Sequence, residues 1–469
     1  AVSTITALSL ALPCWAEDLG LAPEGKTGTW AVIAAGSKGY MNYRHQADAC
    51  HAYQVLRRTG VPADHIILMM QDDVADWPRN PFRGKLFNKP GEDAVDVYDG
   101  CKVDYRGDVV TAKLFQAVIT GDKSGVPRGG RVLESGPQDR VFLNFVDHGG
   151  VGIVAFPNGI PLHAADLSKS LEVMQSKSMF SELLFYMEAC ESGSMFPDLS
   201  DDDKIFALTA ANSRESSWGE YCMPDNDTVN GKHLNTCLGD TFSIAWMEDS
   251  DLGKLGSETI REQVKRVKKR TDKSHVSQFG DSSFEDEPAG GFLLQDTQPG
   301  SSAPLPAGHE GNRFSVRDIG LQTAWHGWNS ARHEEKAEAW QELQQVVAAR
   351  AADEALFDAV VRAACGSKAG PRCIPEMKEA QLDMKDVHCH RELAMAVYES
   401  CPPRSAHDSG GWNGFNMQFS QTLANLCETQ QTLAKTQEDL LRIVHSECRI
   451  ASQAAEAAIA RTALPEVVV

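Results

Sequence analysis

The chain has 469 residues, enough for two domains with a core each. Lys plus Arg number 45 against Asp plus Glu 65, a net charge of −20. That balance excludes nucleic acid and an anionic membrane surface as partners, because both demand a basic face.

Taken in order, residues 1–25 are expected to be a signal remnant and N-terminal propeptide. Ile5 to Leu12 is apolar and is followed by Pro13-Cys14-Trp15-Ala16. No later run approaches a transmembrane length. Residues 26–287 alternate strand and helix patterns. Strands are predicted at Thr29–Ala35, His65–Gln71, Val141–Val146, Leu183–Met187 and Lys204–Ala210. Helices are predicted at Tyr43–Arg58, Gly239–Met247 and Ser257–Lys269. Such alternation implies an α/β fold, a mostly parallel sheet covered on both faces. Arg106-Gly-Asp108 reads as a solvated loop, and Lys265 to Arg270 as a solvated helix face. Asn226-Asp-Thr228 is a glycosylation sequon that agrees with a secretory route.

Residues 288–316 turn to Gly, Pro and Ser and read as a linker. From 317 to 469 the pattern is helical, with helices expected at Asp318–Trp328, Ala331–Ala349, Glu354–Ala364, Lys385–Glu399, Gln418–Cys427 and Thr432–Cys448. This is a small all-α domain.

The chemistry gathers at two strand ends. Leu183 to Met187 opens into Glu188-Ala-Cys190-Glu-Ser-Gly193. Arg140 to Val146 opens into Asp147-His148-Gly149-Gly150. An open α/β sheet places its working groups at such carboxyl ends. A lone Cys is more often a buried structural residue; the histidine on a second strand end favours a thiol–imidazole pair. His148 precedes Cys190 by 42 residues, the order of caspase-type peptidases and not of papain-type ones.

Several longer segments carry a resemblance. They are Ala35 to His51, Ser135 to Asp139, Asp147-His148-Gly149, Glu188 to Met195, Arg214 to Ser217 and Trp246 to Ser250. In this order they resemble the legumain family of asparaginyl endopeptidases, over most of residues 29–280 and more weakly to about 450. The resemblance implies a caspase-like peptidase domain followed by a helical inhibitory prodomain. It implies cleavage after Asn, and after Asp in acid, with peptide ligation on the same thioester. No cofactor and no metal are implied; none of the cysteines has the CxxC spacing of a zinc site. Partners would be peptide substrates and the chain's own prodomain, in a vacuole or lysosome. Two readings stand against it: a catalytically silent interaction protein on this fold, and a lipid-anchor transamidase relative.

Under that resemblance Cys190 is the nucleophile and His148 the base. The N–H groups of Cys190 and Gly149 would form the oxyanion hole. Asn42 would orient the histidine, and Asp147 matches a residue linked to ligation. A carboxamide side chain has an acceptor oxygen and a donating NH2. Arg44 would donate to the oxygen, Glu188 and Asp240 would accept from the nitrogen, and His45 and Ser217 match further pocket positions. Processing is expected at Asn312, Asp318 or Asn329, with the segment between them crossing the cleft. The resemblance implies disulfides Cys389–Cys427 and Cys401–Cys448, where spacing alone permits three pairings, and a loop disulfide Cys222–Cys237. Cys365 and Cys373 enclose a short loop and can pair. Cys50 is expected buried and free, and Cys14 and Cys101 are unassigned.

Charge bears on activation. Residues 331–469 carry 14 Lys plus Arg and 20 Asp plus Glu, so both parts of the chain are acidic. Net charge therefore does not hold them together, and the latch must be local. Carboxylates paired with prodomain cations are expected to have depressed pKa values, so acid would loosen them.

Overall fold

The computed structural model describes residues 28–252, 256–293, 311–366, 370–405, 408 and 410–462, with side chains as far as 454. The expected propeptide with Cys14, and residues 294–310 of the expected linker, lie outside the described residues.

The apolar runs become strands. β1 (Thr29–Ala35) is joined to β2 (Ile66–Met70) by α1 (Tyr43–Arg58), and β3 (Tyr105–Arg106) precedes α2 (Ala112–Ile119). β4 (Arg140–Val146) leads into a small ladder of β5 (Gly149–Gly150), β6 (Ile153–Val154) and β7 (Leu162–His163), which delivers the chain to α3 (Ala164–Ser176). Then come β8 (Glu182–Glu188), β9 (Ile205–Thr209), β10 (Trp218–Cys222), the hairpin β11 (Thr228–Val229) and β12 (Lys232–His233), and β13 (Gly239–Asp240). α4 (Thr241–Asp251), α5 (Ile260–Arg270), β14 (Ser277–Gly280) and α6 (Gly290–Leu293) complete this unit. Phe292 and Leu293 are fully buried in its core, so it extends past residue 287.

The central sheet runs β14-β9-β8-β4-β1-β2-β3. It is parallel except for β14. β4 and β8 are buried along their whole length, as strands covered on both faces must be. Their register pairs Val146 with Glu188. Asp147-His148 and Ala189-Cys190 therefore leave the sheet side by side. Gly239 and Asp240, expected to begin a helix, instead form β13 on the edge of β10; α4 starts at Thr241.

After the linker, β15 (Asn312–Ser315) is followed by α7 (Ile319–Ser330), α8 (Lys336–Cys365), α9 (Cys373–Glu379), α10 (Val387–Ser400), α11 (Ser420–Glu428), α12 (Gln430–Leu433) and α13 (Gln437–Thr462). α8 is one helix where two were expected. The stretch between Ala349 and Glu354 contains no Gly or Pro and is rich in alanine, which sustains a helix. Leu356, Phe357, Val361, Leu393, Val397, Leu423 and Val444 form the helical core, and Ile153 and Ala155 of the first unit join it.

Five disulfides occur among the described residues: Cys50–Cys101, Cys222–Cys237, Cys365–Cys373, Cys389–Cys427 and Cys401–Cys448. The first corrects the expectation of a free Cys50. That residue is buried on α1, and its thiol faces the loop carrying Cys101, 51 residues on. Cys190 is the free cysteine among the described residues.

Candidate active site

α1 is buried on almost every side, including its charged residues Arg44, His45 and Asp48. A helix with polar residues buried all round must be satisfied by a site and not by solvent. Asn42, just before α1, accepts at Oδ1 from His148 Nε2, 2.8 Å away. An amide oxygen only accepts, so Nε2 carries the proton and Nδ1 is the free base. His148 Nδ1 is buried and has no hydrogen-bond partner. Burial first, then Arg44 and Arg317, push this imidazole well below the usual histidine range.

Cys190 follows β8, and Glu191 after it takes a left-handed conformation with φ 48°. That strained turn is held by Glu191 N–H to the Glu215 carbonyl at 2.8 Å. The thiol is fully buried. It lies 3.3 Å from Ser216 Oγ and accepts from Ser217 N at 3.4 Å. Burial raises the thiol pKa, against the pull of Arg317. Thiol and imidazole are thus both neutral at rest, and the thiol's described hydrogen-bond partners are the two serines.

The pocket lies between α1, β8 and β13. Arg44 Nε donates to Asp240 Oδ1 at 2.8 Å. Glu188 Oε2 accepts from Ser243 N at 3.0 Å. His45 Nδ1 faces Ser37 Oγ, and Asp147 Oδ1 at 3.0 Å. Its Nε2 is 3.5 Å from Asp240 Oδ2. Asp48, unmarked in the sequence, sits beneath, accepting from Asn88 Nδ2 at 2.7 Å and Asp240 N at 3.0 Å. Buried pocket atoms without a hydrogen-bond partner include Arg44 Nη2, His45 Nε2, Glu188 Oε1, Asp240 Oδ2 and both oxygens of Asp147. They offer a donor and acceptors to one side chain. Burial raises the pKa of Asp48, Glu188, Asp240 and Asp147. His45, Asp147 and His148 bring ligand atoms within 4.8 Å of one another. The Arg44 charge acting on His148 and Asp147 opposes a cation there.

The cleft is covered. β15 pairs antiparallel with β10, Trp218 opposite Ser315 and Gly219 opposite Phe314. Val316 N donates to Ser217 O at 3.0 Å, and Val316 packs in one cluster with Cys190. Arg317 donates to Gly149 O at 2.7 Å and Gly414 O at 3.0 Å, and pairs with Glu191. Gly414 of the helical domain lies on His148: a Cβ there would be 2.6 Å from the ring's Cε1. Arg317 lies in the segment expected to cross the cleft and Ser216 in the Arg214 to Ser217 segment, but neither was given a role, and nothing in the sequence marked Gly414. Of the expected processing residues, Asp318 leads into α7 with its carboxylate 2.7 Å from Arg350. Asn312 N donates to Asn226 Oδ1 at 2.9 Å. Asn329 is exposed near the end of α7. The sequon residue Asn226 is therefore packed against the linker strand.

Glu191 departs from the expected sign. Burial outweighs Arg317 and lifts its carboxyl to about 7. A desolvated carboxylate with one cation is not held down.

The family model of the peptidase C13 family matches residues 29–297. The chain is 35% identical over 427 residues to vacuolar-processing enzyme beta-isozyme 1 of Oryza sativa subsp. japonica, covering 87% of this chain and 83% of that one. It is 47% identical over 280 residues to legumain of Mus musculus, covering 59% and 62%. Among solved structures it matches caspase-1 from Spodoptera frugiperda with a TM-score of 0.32 and 10% identity, over 52% of this chain and 77% of that one. With Cys190 and His148 intact at adjoining strand ends, the chain belongs to the peptidase C13 family and is a cysteine endopeptidase.

Proposed function

We propose that this endopeptidase cleaves on the carboxyl side of Asn, and of Asp in acid, and that it is made as a zymogen closed by its own helical domain. One observation carries the specificity: Arg44, paired through Nε with Asp240, keeps a buried Nη2 without a hydrogen-bond partner, and Glu188 in the same pocket keeps a buried Oε1 without one. A carboxamide satisfies a donor and acceptors together. An ionised Asp side chain would meet like charge there, and a protonated one mimics Asn. The vacuolar-processing enzyme and legumain relatives support the same reading and an acidic vacuole or lysosome. They argue against the catalytically silent and transamidase alternatives; among the described residues no helix is long and apolar enough to cross a membrane.

In the reaction the Cys190 sulfur bonds to the scissile carbonyl carbon as His148 Nδ1 takes the thiol proton. That proton passes to the departing amine, leaving a thioester. Water then resolves the thioester to the acid. An incoming peptide amine in its place gives ligation. The N–H groups of Cys190 and Gly149 would stabilise the oxyanion.

Autoinhibition is supported by β15 on the edge of β10, Arg317 over Cys190 and Gly414 on His148. The test is mass analysis of Asn-containing peptides incubated with the protein at acid and near-neutral pH, beside Cys190→Ser and Arg44→Ala. Cleavage after residues other than Asn or Asp would overturn the specificity. Unchanged Asn cleavage in Arg44→Ala would place the pocket elsewhere.

A further inference from the structure

Acid release of the helical domain needs a group that takes up a proton on opening. The ion pair at the cleft does the reverse. Glu191 sits at about 7 when closed, so it holds its proton more tightly there than a solvated carboxyl would. Between roughly pH 7 and 4.5 it favours the closed form. Among the described residues the other ion pairs between the two units are Arg391–Asp166, Arg214–Asp383, Arg79–Glu342 and Arg313–Asp272, and in each the carboxylate is partly or largely exposed. Against desolvation, Arg313 does hold the Asp272 carboxyl below its usual range, but that carboxylate is 56% exposed. Pairs of that kind contribute little.

A different contact has the required property. His163, at the end of β7, and His390, on α10, meet in the interface. His163 Nε2 and His390 Nδ1 are 2.9 Å apart, and both side chains are buried. The protons can be assigned from the partners. His163 Nδ1 accepts from Ala165 N at 3.1 Å, capping α3. Its Nε2 must therefore carry the hydrogen and donate to His390 Nδ1. His390 Nε2 in turn donates to the Ser420 carbonyl at 3.1 Å. All four ring nitrogens are used with both rings neutral, so no site is left for another proton. One added at His163 Nδ1 would face the Ala165 N–H. One added at His390 Nδ1 would face the N–H of His163.

We propose that the His163–His390 pair is the acid sensor that releases the helical domain from the peptidase domain. This rests on the zymogen reading above. The surroundings add no carboxylate to rescue a protonated ring. From α3 the neighbouring charge is Asp166, already paired with Arg391 of α10, which also pairs with Glu392. From the loop before α10 the interface presents Met384, from the β5–β6 turn Gly152, and from α11 the Ser420 carbonyl. Asp386, at the N-terminus of α10, caps Cys389 N. Burial, then His390 and Arg391, push His163 down to about 2; burial, against the Ser420 carbonyl, pushes His390 down to about 4.

The sign follows. A histidine whose pKa is lower closed than open leaves the closed form unaffected above about 6.5 and weakens it progressively below. Each ring that must charge on opening multiplies the open fraction by about tenfold per pH unit below that value.

The experiment uses the full chain carrying Cys190→Ser, so that no self-cleavage occurs and the result does not depend on substrate specificity. Hydrogen exchange at residues 411–420, corrected for intrinsic pH dependence, reports opening between pH 6.5 and 4.5. His390→Gln keeps a donor for Ser420 and an acceptor for His163 without titrating. His163→Gln does the same from the other side. Each should lower the slope of opening against pH by about tenfold per unit relative to the parent. The apolar double variant H163L/H390M, which packs without any proton demand, should flatten it further. Parent, single and double variants that open with the same pH dependence would overturn the proposal. A lowered slope in the Cys190→Ser chains, together with failure of the Cys190-intact protein to cleave Asn peptides, would leave the sensor standing and reject the substrate reading.

Discussion

Gly414 and His148 are in direct contact across the two units: the position a Gly414 side chain would take is 2.6 Å from Cε1 and 2.8 Å from Nδ1 of the imidazole. The helical domain thus lays bare backbone on the His148 ring. Any Cβ must push the domain away or displace the ring. Gly414→Ala should cost the closed form about 1–3 kcal/mol, as overpacking does. The uncut chain with Gly414→Ala should show Cys190 alkylation several-fold to a hundred-fold faster than the parent at the same pH. Equal rates would mean that the Gly414 segment does not gate the thiol.

Asn42 fixes which imidazole nitrogen is the base. Asn42→Ala should free the ring to present the wrong tautomer and should lower kcat by roughly ten- to a hundred-fold with little change in KM. The full chain should still close, since Asn42 touches neither Arg317 nor Gly414 in any described hydrogen bond. Steady-state kinetics on an activated sample decide it. A variant with parental kcat would show that His148 is oriented by something else.

Strands, helices and the Cys190–His148 pair were legible because periodicity and strand-end chemistry are local signals. Arg44, Glu188 and Asp240 were legible only through resemblance, since nothing local brings residue 44 to residue 240. Cys50 was misread for the same reason: its partner lies on a loop with no pattern of its own. α8 is continuous where two helices were expected, because nothing between Ala349 and Glu354 breaks a helix. The segment carrying Arg317 was expected over the cleft but the residue's role was not, and Gly414 left no trace, because covering a cleft needs a position in space and not a motif. Glu191 was visible in sequence, but the direction of its pKa depends on burial, which composition does not reveal.

The Cys50–Cys101 bridge ties the loop that follows β2 to the back of α1, the helix whose first turn carries Arg44 and His45. Replacing both cysteines by Ala should cost about 2–4 kcal/mol, chiefly by freeing the unfolded chain. In a thermal melt the paired variant should lose several degrees. Alkylation of Cys190 at a temperature where both proteins are folded should be unchanged. A variant with the parental Tm would show that packing alone holds this loop.

The last expectation concerns stability against pH in the peptidase unit itself. Glu258 sits beside Asp249 and Arg266, and burial lifts its carboxyl to about 7. Its surface is almost fully covered, although the group reaches the edge of solvent through the half-exposed Arg266, so the full shift should not be taken as stability. A carboxyl raised on folding binds its proton more tightly in the folded state. Stability therefore falls as pH rises from the unfolded value near 4.3 towards about 7, and is level beyond it. Glu188 and Asp48, both raised by burial in the pocket, act in the same direction. The enzyme should melt at a higher temperature near pH 5 than near pH 7.5. Glu258→Gln keeps the shape, cannot ionise and can donate to Asp249. It should raise the Tm near pH 7.5 by about 1–2 °C while leaving the pH 5 value unchanged, a change of about 1 kcal/mol for a chain of this size. Melting curves of parent and variant across that range, in the Cys190→Ser background, give the answer. Parallel curves would mean that Glu258 is ionised and fully compensated by Arg266 throughout, and the acid preference would have to lie in the pocket carboxyls alone.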